Sequence, residues 1–261
     1  MSYRKIPGTR SLVTGASGGI GRAIAVELAR QGSKVLLLAR REEALAAVAD
    51  EIRKAGGTAE CVAGDVTDPA VRRAALDRAA EKFGGLDILV NNAGIGATGR
   101  FDMAQPETLR KIFEVNFFAA AEMTREALPL LRQGVRPIVV NIASVLGHRA
   151  GPQMSEYSAS KFALRGLSQA LRNELRPAGI DVLVVSPGTT ETEFFGHIVD
   201  GDGTTRWPHW GAVTAASVAR STVRAIRHKR HEIIPNFPGW FLTMMNRLCP
   251  RLIDELMNRY V

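Results

Sequence analysis

Short, wholly apolar runs recur along this chain at helix-length intervals, and a run such as Val35-Leu36-Leu37-Leu38 leaves few ways to fold. Successive side chains of a strand point to opposite faces, so a strand apolar at every position must be covered on both sides. That is the condition of a strand inside a parallel sheet. Runs of this kind predict strands over residues 11–14, 34–39, 59–63, 86–91, 137–142, 181–186 and 232–235. Helical patterns lie between them. In the first, Ile20, Ile24 and Leu28 make a four-residue stripe, and Gly32 is placed to end the helix. Strands alternating with helix-length crossovers predict an α/β fold built on a doubly wound parallel sheet. The alternation uses nearly all of the 261 residues, so the reading is one domain over residues 1–261. Two stretches stand outside it: a loop-rich segment, 189–211, and a C-terminal extension, 236–261.

Composition narrows the function classes. A hydrophobic content of 46% suits a globular chain with a sizeable core. The formal charge is +8, but the arginines are scattered through helical patterns, so it reads as a solvated basic surface with no nucleic-acid partner. Cys61 and Cys249 are too few for a disulfide framework, and their neighbours form no metal-ligand pattern. No metal and a reducing, cytoplasmic compartment are therefore expected. The opening MSYRKIPGTR has no apolar core of signal-peptide length, and no run approaches the roughly 18 apolar residues of a membrane span.

The first strand leads through Thr14-Gly15-Ala16-Ser17-Gly18-Gly19-Ile20-Gly21 into the first helix. Glycines here let the turn close and let backbone approach a pyrophosphate, which then sits at the positive end of the helix. The run lies between a predicted strand and a predicted helix, so it points to dinucleotide binding. The second strand ends Leu38-Ala39-Arg40-Arg41, without the acid that usually binds the adenosine ribose of NAD. Guanidinium groups suit a 2′-phosphate that a carboxylate would repel. Glu42 and Glu43 follow at once, but the helix opening there should turn them outward. NADP(H) is the cofactor expected.

At the other end, Tyr157 and Lys161 are four residues apart, on one face of a helical pattern that continues through Leu164, Leu167, Leu171 and Leu175. A free tyrosine has a pKa near ~10, and bringing it to neutrality takes about 4 kcal/mol. A cation about 4 Å away at an effective dielectric of ~20 supplies energy of that order. Ser144 sits just past the fifth strand, Asn91-Asn92-Ala93-Gly94 follows the fourth, and Pro187-Gly188 follows the sixth. In a doubly wound sheet, these strand ends form the ligand crevice. Asn116 is a polar residue on an apolar stripe, with Ile112 and Ala120 one turn to either side. It needs a partner, which backbone alone could supply.

Taken in order and spacing, Thr14-Gly15, Gly19-Ile20-Gly21, Asp65-Val66, Asn91 to Gly94, Asn116, Ser144, Tyr157, Lys161, Pro187-Gly188 and Thr192 resemble the signature of the short-chain dehydrogenase/reductase family. The resemblance covers roughly residues 8–235. It implies a Rossmann fold and an oxidoreductase that interconverts an alcohol and a ketone or aldehyde by hydride transfer, here acting as a carbonyl reductase on a small-molecule substrate. Tyr157 is then the general acid or base and Ser144 the group that hydrogen-bonds the substrate oxygen. Lys161 lowers the tyrosine pKa and binds the nicotinamide ribose. Asn116, on a kinked helix, completes a proton relay to Lys161 through water. Cofactor contacts fall on Gly15, Ser17, Gly19, Ile20 and Gly21, and on Asp65 and Val66 at the adenine. Others fall on Asn91, Asn92, Ala93 and Gly94, on Tyr157 and Lys161, and on Pro187, Gly188, Thr190 and Thr192. Relatives that use NADP often carry a basic residue in the glycine loop, where this chain has Ser17-Gly18. Phosphate recognition therefore falls on Arg40, with Arg41 and Ser17 beside it. The alternative function is a catalytically silent NADP-binding scaffold, which should lack one of the proton-transfer residues; all four are present.

The 189–211 stretch should cover the substrate, and its Phe194, Phe195, Trp207 and Trp210 suit an apolar ligand, with Leu146 and Met154 facing the same space. His148 and Arg149 are near enough to contact a polar substituent of the substrate, but a surface position is expected. In the extension, Leu252, Ile253, Leu256, Met257, Tyr260 and Val261 fall on one face of a helical pattern starting at Arg251. Packing within a homodimer or homotetramer is the favoured role for that face; contact with a membrane surface and docking on its own domain are the alternatives.

Overall fold

The computed structural model describes residues 3–192 and 211–258. Strands β1 (Arg10–Thr14), β2 (Lys34–Ala39), β3 (Thr58–Ala63), β4 (Ile88–Asn91), β5 (Ile138–Ile142) and β6 (Asp181–Val185) form a parallel sheet. β7 (Thr190–Glu191) and β8 (Val213–Thr214) make a small parallel pair apart from it, and β9 (Glu232–Ile233) returns to β6. The seven-stranded order is β3-β2-β1-β4-β5-β6-β9. Every run predicted as a strand lies in this sheet. The order reverses between β1 and β4, which opens a crevice past their carboxyl ends.

The helices are α1 (Gly19–Arg30), α2 (Glu42–Lys54), α3 (Pro69–Phe83), α4 (Pro106–Phe113), α5 (Ala119–Arg132), α6 (Ser155–Glu174), α7 (Ala215–Arg227), α8 (Phe237–Leu248) and α9 (Pro250–Met257). They cover the sheet from both sides, and β2 shows why. Val35 and Leu37 pack in the layer with Ile24, Leu28, Val48 and Val223 of α1, α2 and α7. Leu36 and Leu38 pack in the opposite layer, with Leu76, Met123 and Leu131 of α3 and α5. All four strand residues are fully buried, and each contributes about 1.5–3 kcal/mol of apolar burial.

Polar groups fix the central strands to their helices. Asn91 Nδ2 donates to Thr124 Oγ1 of α5 at 2.9 Å and to Asn141 Oδ1 of β5 at 2.8 Å. Asn141 Nδ2 in turn donates to Ser168 Oγ of α6 at 2.8 Å. This chain sets α6, which carries Tyr157 and Lys161, against the ends of β4 and β5.

The extension departs from expectation. Helix begins at Phe237, well before Arg251, where Pro238 opens α8 without needing its missing N–H. The extension docks on its own chain: Arg149 pairs with Asp254 at 2.7 Å, and Ile253 is buried. Leu252 and Leu256, expected on the same face as Ile253, are exposed. Eight residues of helix present too narrow a buried stripe to hide all of them. Tyr260 and Val261 lie outside the described residues. Among the described residues, no helix is long and apolar enough to cross a membrane.

Asn141→Ala removes one acceptor and one donor from the buried chain and leaves Asn91 and Ser168 each short of a partner. Urea unfolding should show a loss of about 2–4 kcal/mol at unchanged m-value. A loss under about 0.5 kcal/mol would mean that the network does not brace these strands.

Candidate active site

The glycine loop closes against the end of β4. Gly15 has φ +65°, and a Cβ there would come 2.8 Å from Asn92 Nδ2; at Gly21 it would run into the Gly15 carbonyl oxygen. Only glycine fits at either place. Thr14 Oγ1 accepts from the backbone N–H of Asn92 and of Ala93, each at 3.0 Å, and Asn92 Nδ2 donates to Thr14 O at 3.0 Å. Gly18, just before α1, brings no capping side chain, so the first N–H groups of the helix are left for an anion.

This loop forms one end of a cleft of about 370 Å³. Ser17, Gly19 and Ile20 line it beside Arg40, Arg41, Asp65 and Val66. Arg41 reaches back to Ser17, with Nε 3.4 Å from Oγ. Arg40 lies 3.9 Å from Asp65, whose other oxygen accepts from Thr67. Glu42 and Glu43 are exposed and stay outside the cleft. Asn92, Ala93 and Gly94 form the middle of the wall. Gly21 lies behind it.

At the other end stand Ser144, Tyr157 and Lys161. Tyr157 and Lys161 lie one turn apart on the buried face of α6. Ser144 follows β5 and accepts from the Leu146 N–H at 3.1 Å. The Tyr157 hydroxyl hydrogen-bonds with Ser144. Lys161 Nζ donates to Ile142 O at 3.0 Å and sits 5.6 Å from the centre of the Tyr157 ring. Pro187, Gly188, Thr190 and Thr192 form the far wall, with Thr190 Oγ1 donating to Gly188 O at 3.0 Å. Leu146 and Met154 pack with Tyr157 and also line the cleft.

Several residues fall elsewhere. Asn91 points into the core, because neighbouring strand residues face opposite ways and its successor Asn92 takes the cleft side. Asn116 is buried in a π-helical turn, Glu114–Phe118, behind the cleft wall. Its Oδ1 accepts from Ile95 N at 2.9 Å, and its Nδ2 donates to Ile95 O and to Ser160 Oγ, both at 3.0 Å. Asn116 Oδ1 and Lys161 Nζ nonetheless both lie close to Gly94: a Cβ there would come 3.2 Å from the first and 3.5 Å from the second. His148 and Arg149 are half-buried and turned from the cleft: His148 Nε2 lies 3.1 Å from Ser186 Oγ and 3.2 Å from Glu232, and Arg149 is held by Asp254. Ser160, which the sequence reading missed, donates to Tyr157 O at 2.7 Å and so links Asn116 to the tyrosine's turn. Its place within Tyr157-Ser158-Ala159-Ser160-Lys161 was the available signal. Phe194, Phe195, Trp207 and Trp210 lie outside the described residues.

A sequence model of the short chain dehydrogenase family matches residues 10–202. The chain belongs to this family. It is 35% identical to the ketoacyl reductase HetN of Nostoc sp. over 231 residues, 88% of this chain and 79% of that protein. A short-chain dehydrogenase/reductase of Burkholderia phymatum, solved with NAD, superposes with a TM-score of 0.87 at 28% identity, over 95% of this chain and 96% of that one. A short-chain dehydrogenase of Burkholderia cenocepacia, solved with NADP, gives 0.79 at 35% identity, over 88% and 97%. As a family member the chain is an oxidoreductase acting on CH–OH groups with a nicotinamide dinucleotide. The glycine cradle and the cleft running from Arg40 to Lys161 fit such a cofactor.

Burial dominates the electrostatics at the chemical end of the short-chain dehydrogenase site. Burial pushes the Tyr157 phenol up to about 12, although Ser144 pulls the other way. Burial also pushes Lys161 down from 10.5 to about 8, because an ammonium loses hydration there. Folding therefore carries a charge penalty at Lys161. The unfolded chain keeps that proton up to 10.5 and the folded one releases it near 8, so the penalty is full below pH 8 and fades between 8 and 10.5. Lys161→Met should be more stable than the parent by about 3 kcal/mol at pH 7, less one hydrogen bond, with the gap closing by pH 10.5. Denaturant curves at the two pH values check this; a gap independent of pH would refute it.

Proposed function

We propose that this chain is an NADP(H)-dependent carbonyl reductase for an apolar ketone or aldehyde, and that Ser144, Tyr157, Lys161 and Asn116 carry the proton transfer. The observation that carries the reading is a buried tyrosine on the wall of the cleft, hydrogen-bonded to Ser144, with burial raising its pKa. A group with its proton in place near neutrality serves as an acid, which is what reduction of a carbonyl requires. When bound, the nicotinamide supplies the hydride. Tyr157 gives its proton to the carbonyl oxygen, and Ser144 hydrogen-bonds the same oxygen as its charge develops. Lys161, which keeps its proton up to about pH 8, would bind the ribose and favour the phenolate left after transfer. Asn116 and Lys161, whose Oδ1 and Nζ both lie close to Gly94, support a relay that returns the proton to Tyr157.

For NADP over NAD, the support is Arg40 and Arg41 at the adenosine end of the cleft, with Arg41 beside Ser17 and the nearby Glu42 and Glu43 turned away. For an apolar substrate, it is Leu146, Met154, Val145, Ile95 and Val115 around the chemical end. A carbonyl-reducing role also agrees with the similarity to the ketoacyl reductase of Nostoc sp.. The reading includes a homodimer or homotetramer, supported by large apolar side chains left exposed at Phe101, Met103 and Phe118. Free cysteines at positions 61 and 249 suit a reducing cytoplasm.

Tyr157→Phe keeps the ring and removes the proton. Turnover in an NADPH-oxidation assay over lipid, steroid, quinone and small carbonyl compounds should fall about 10²–10⁴-fold, with NADPH affinity unchanged; retained turnover would sink the catalytic assignment. Arg40→Asp combined with Arg41→Asp should weaken NADPH binding about tenfold or more while changing NADH little. Equal losses for both dinucleotides would show that these arginines do not read the phosphate.

A further inference from the structure

The C-terminal extension meets the cleft at one buried side chain. Asn236, just before α8, is only 5% exposed, so its carboxamide must find partners inside the protein. Its Oδ1 accepts from the Gly188 N–H at 3.1 Å. A Cβ at Gly188 would collide with Asn236 Nδ2 and lie 2.7 Å from its Oδ1. Gly239, in the first turn of α8, presses on the same carboxamide oxygen and on Val145 Cγ1; a Cβ there would come 2.7 Å from each. Val145 follows Ser144 directly, and its N–H donates to Pro187 O at 3.0 Å. Asn236 is thus clamped between two glycines, one on the cleft wall and one on the extension.

We propose that Asn236 is a positioning residue of the cofactor site: it sets the Pro187–Gly188 wall at the nicotinamide end and makes the C-terminal extension a working part of that site. This rests on the assignment of the cleft to a nicotinamide dinucleotide. Gly188 lines the cleft and Asn236 stands behind it, so Asn236 acts through the peptide it holds. The absence of a side chain at Gly188 has its reason here. The position is glycine because the carboxamide fills the space that a methyl group would need. Pro187 has no N–H to anchor it, so the wall is held at its carbonyl by Val145 and at the next N–H by Asn236. The Ser144 turn and the cofactor wall therefore share one brace.

Fluorescence titration of the full chain with NADPH and NADH reads the effect without turnover, and hydrogen exchange at the Gly188 amide reads its cause. Asn236→Ala should weaken binding of the preferred dinucleotide about fivefold and speed exchange at Gly188. Gly188→Ala alone should weaken binding about tenfold or more. The double variant should bind no worse than Asn236→Ala, because truncation removes the atoms with which the new methyl group collides. A purely structural role predicts a lowered melting temperature with unchanged dissociation constants. That result, or losses that multiply in the double variant, would overturn the proposal. A parent protein that binds neither dinucleotide would overturn the cofactor reading itself, and this proposal with it.

Discussion

Thr14 and Asn92 join the ends of β1 and β4 at the one place where the sheet changes direction. The hydroxyl of Thr14 gathers two backbone N–H groups of the 92–93 segment, and the Asn92 amide returns a bond to the Thr14 carbonyl. Without that clasp the glycine loop has nothing to close against, because Gly15 and Gly21 owe their shape to the Asn92 amide pressed upon them. The remaining strands are arranged around this point. α6 is set from one side through Asn141 and Ser168, and the 187–192 wall stands opposite.

Burial decides the chemistry of the other end. The same apolar surroundings that give Leu146 and Met154 their places remove water from Tyr157 and Lys161. Desolvation moves both groups toward neutrality, the phenol up and the ammonium down. Two groups four residues apart on one helix face are thus shifted in opposite directions for a common reason.

Much of the fold was legible because it depends on short-range pattern. Val35 to Leu38 announce two-sided cover through their own composition, and the glycine run marks the turn that follows β1. Tyr157 and Lys161 could be placed together because four residues make a helical turn. What escaped notice depends on facing and on distant partners. Asn91 and Asn92 are adjacent and look alike in a sequence, yet one braces the core and the other clasps the loop. Asn236 meets Gly188 across 48 residues, and no local pattern marks either as half of a pair. His148 and Arg149 were read as surface residues because Ser186, Glu232 and Asp254, which hold them, lie far along the chain. The start of α8 was hidden by Pro238 and Gly239, which read as loop; Gly239 lies against Asn236 and Val145, and Pro238 against Gly211.

The clasp at β1 and β4 also bears on the order of assembly. β1 and β2 are joined by a single helix and can pair early, but Asn92 lies 77 residues beyond Gly15, past two more crossovers. Closing so long a loop is slow, because chain entropy is spent before the contacts form. A chain emerging from synthesis would hold its glycine run in an unformed state until β4 arrives. Competence to bind a dinucleotide then becomes a late event in folding, and its appearance marks the moment when the two halves of the sheet have met.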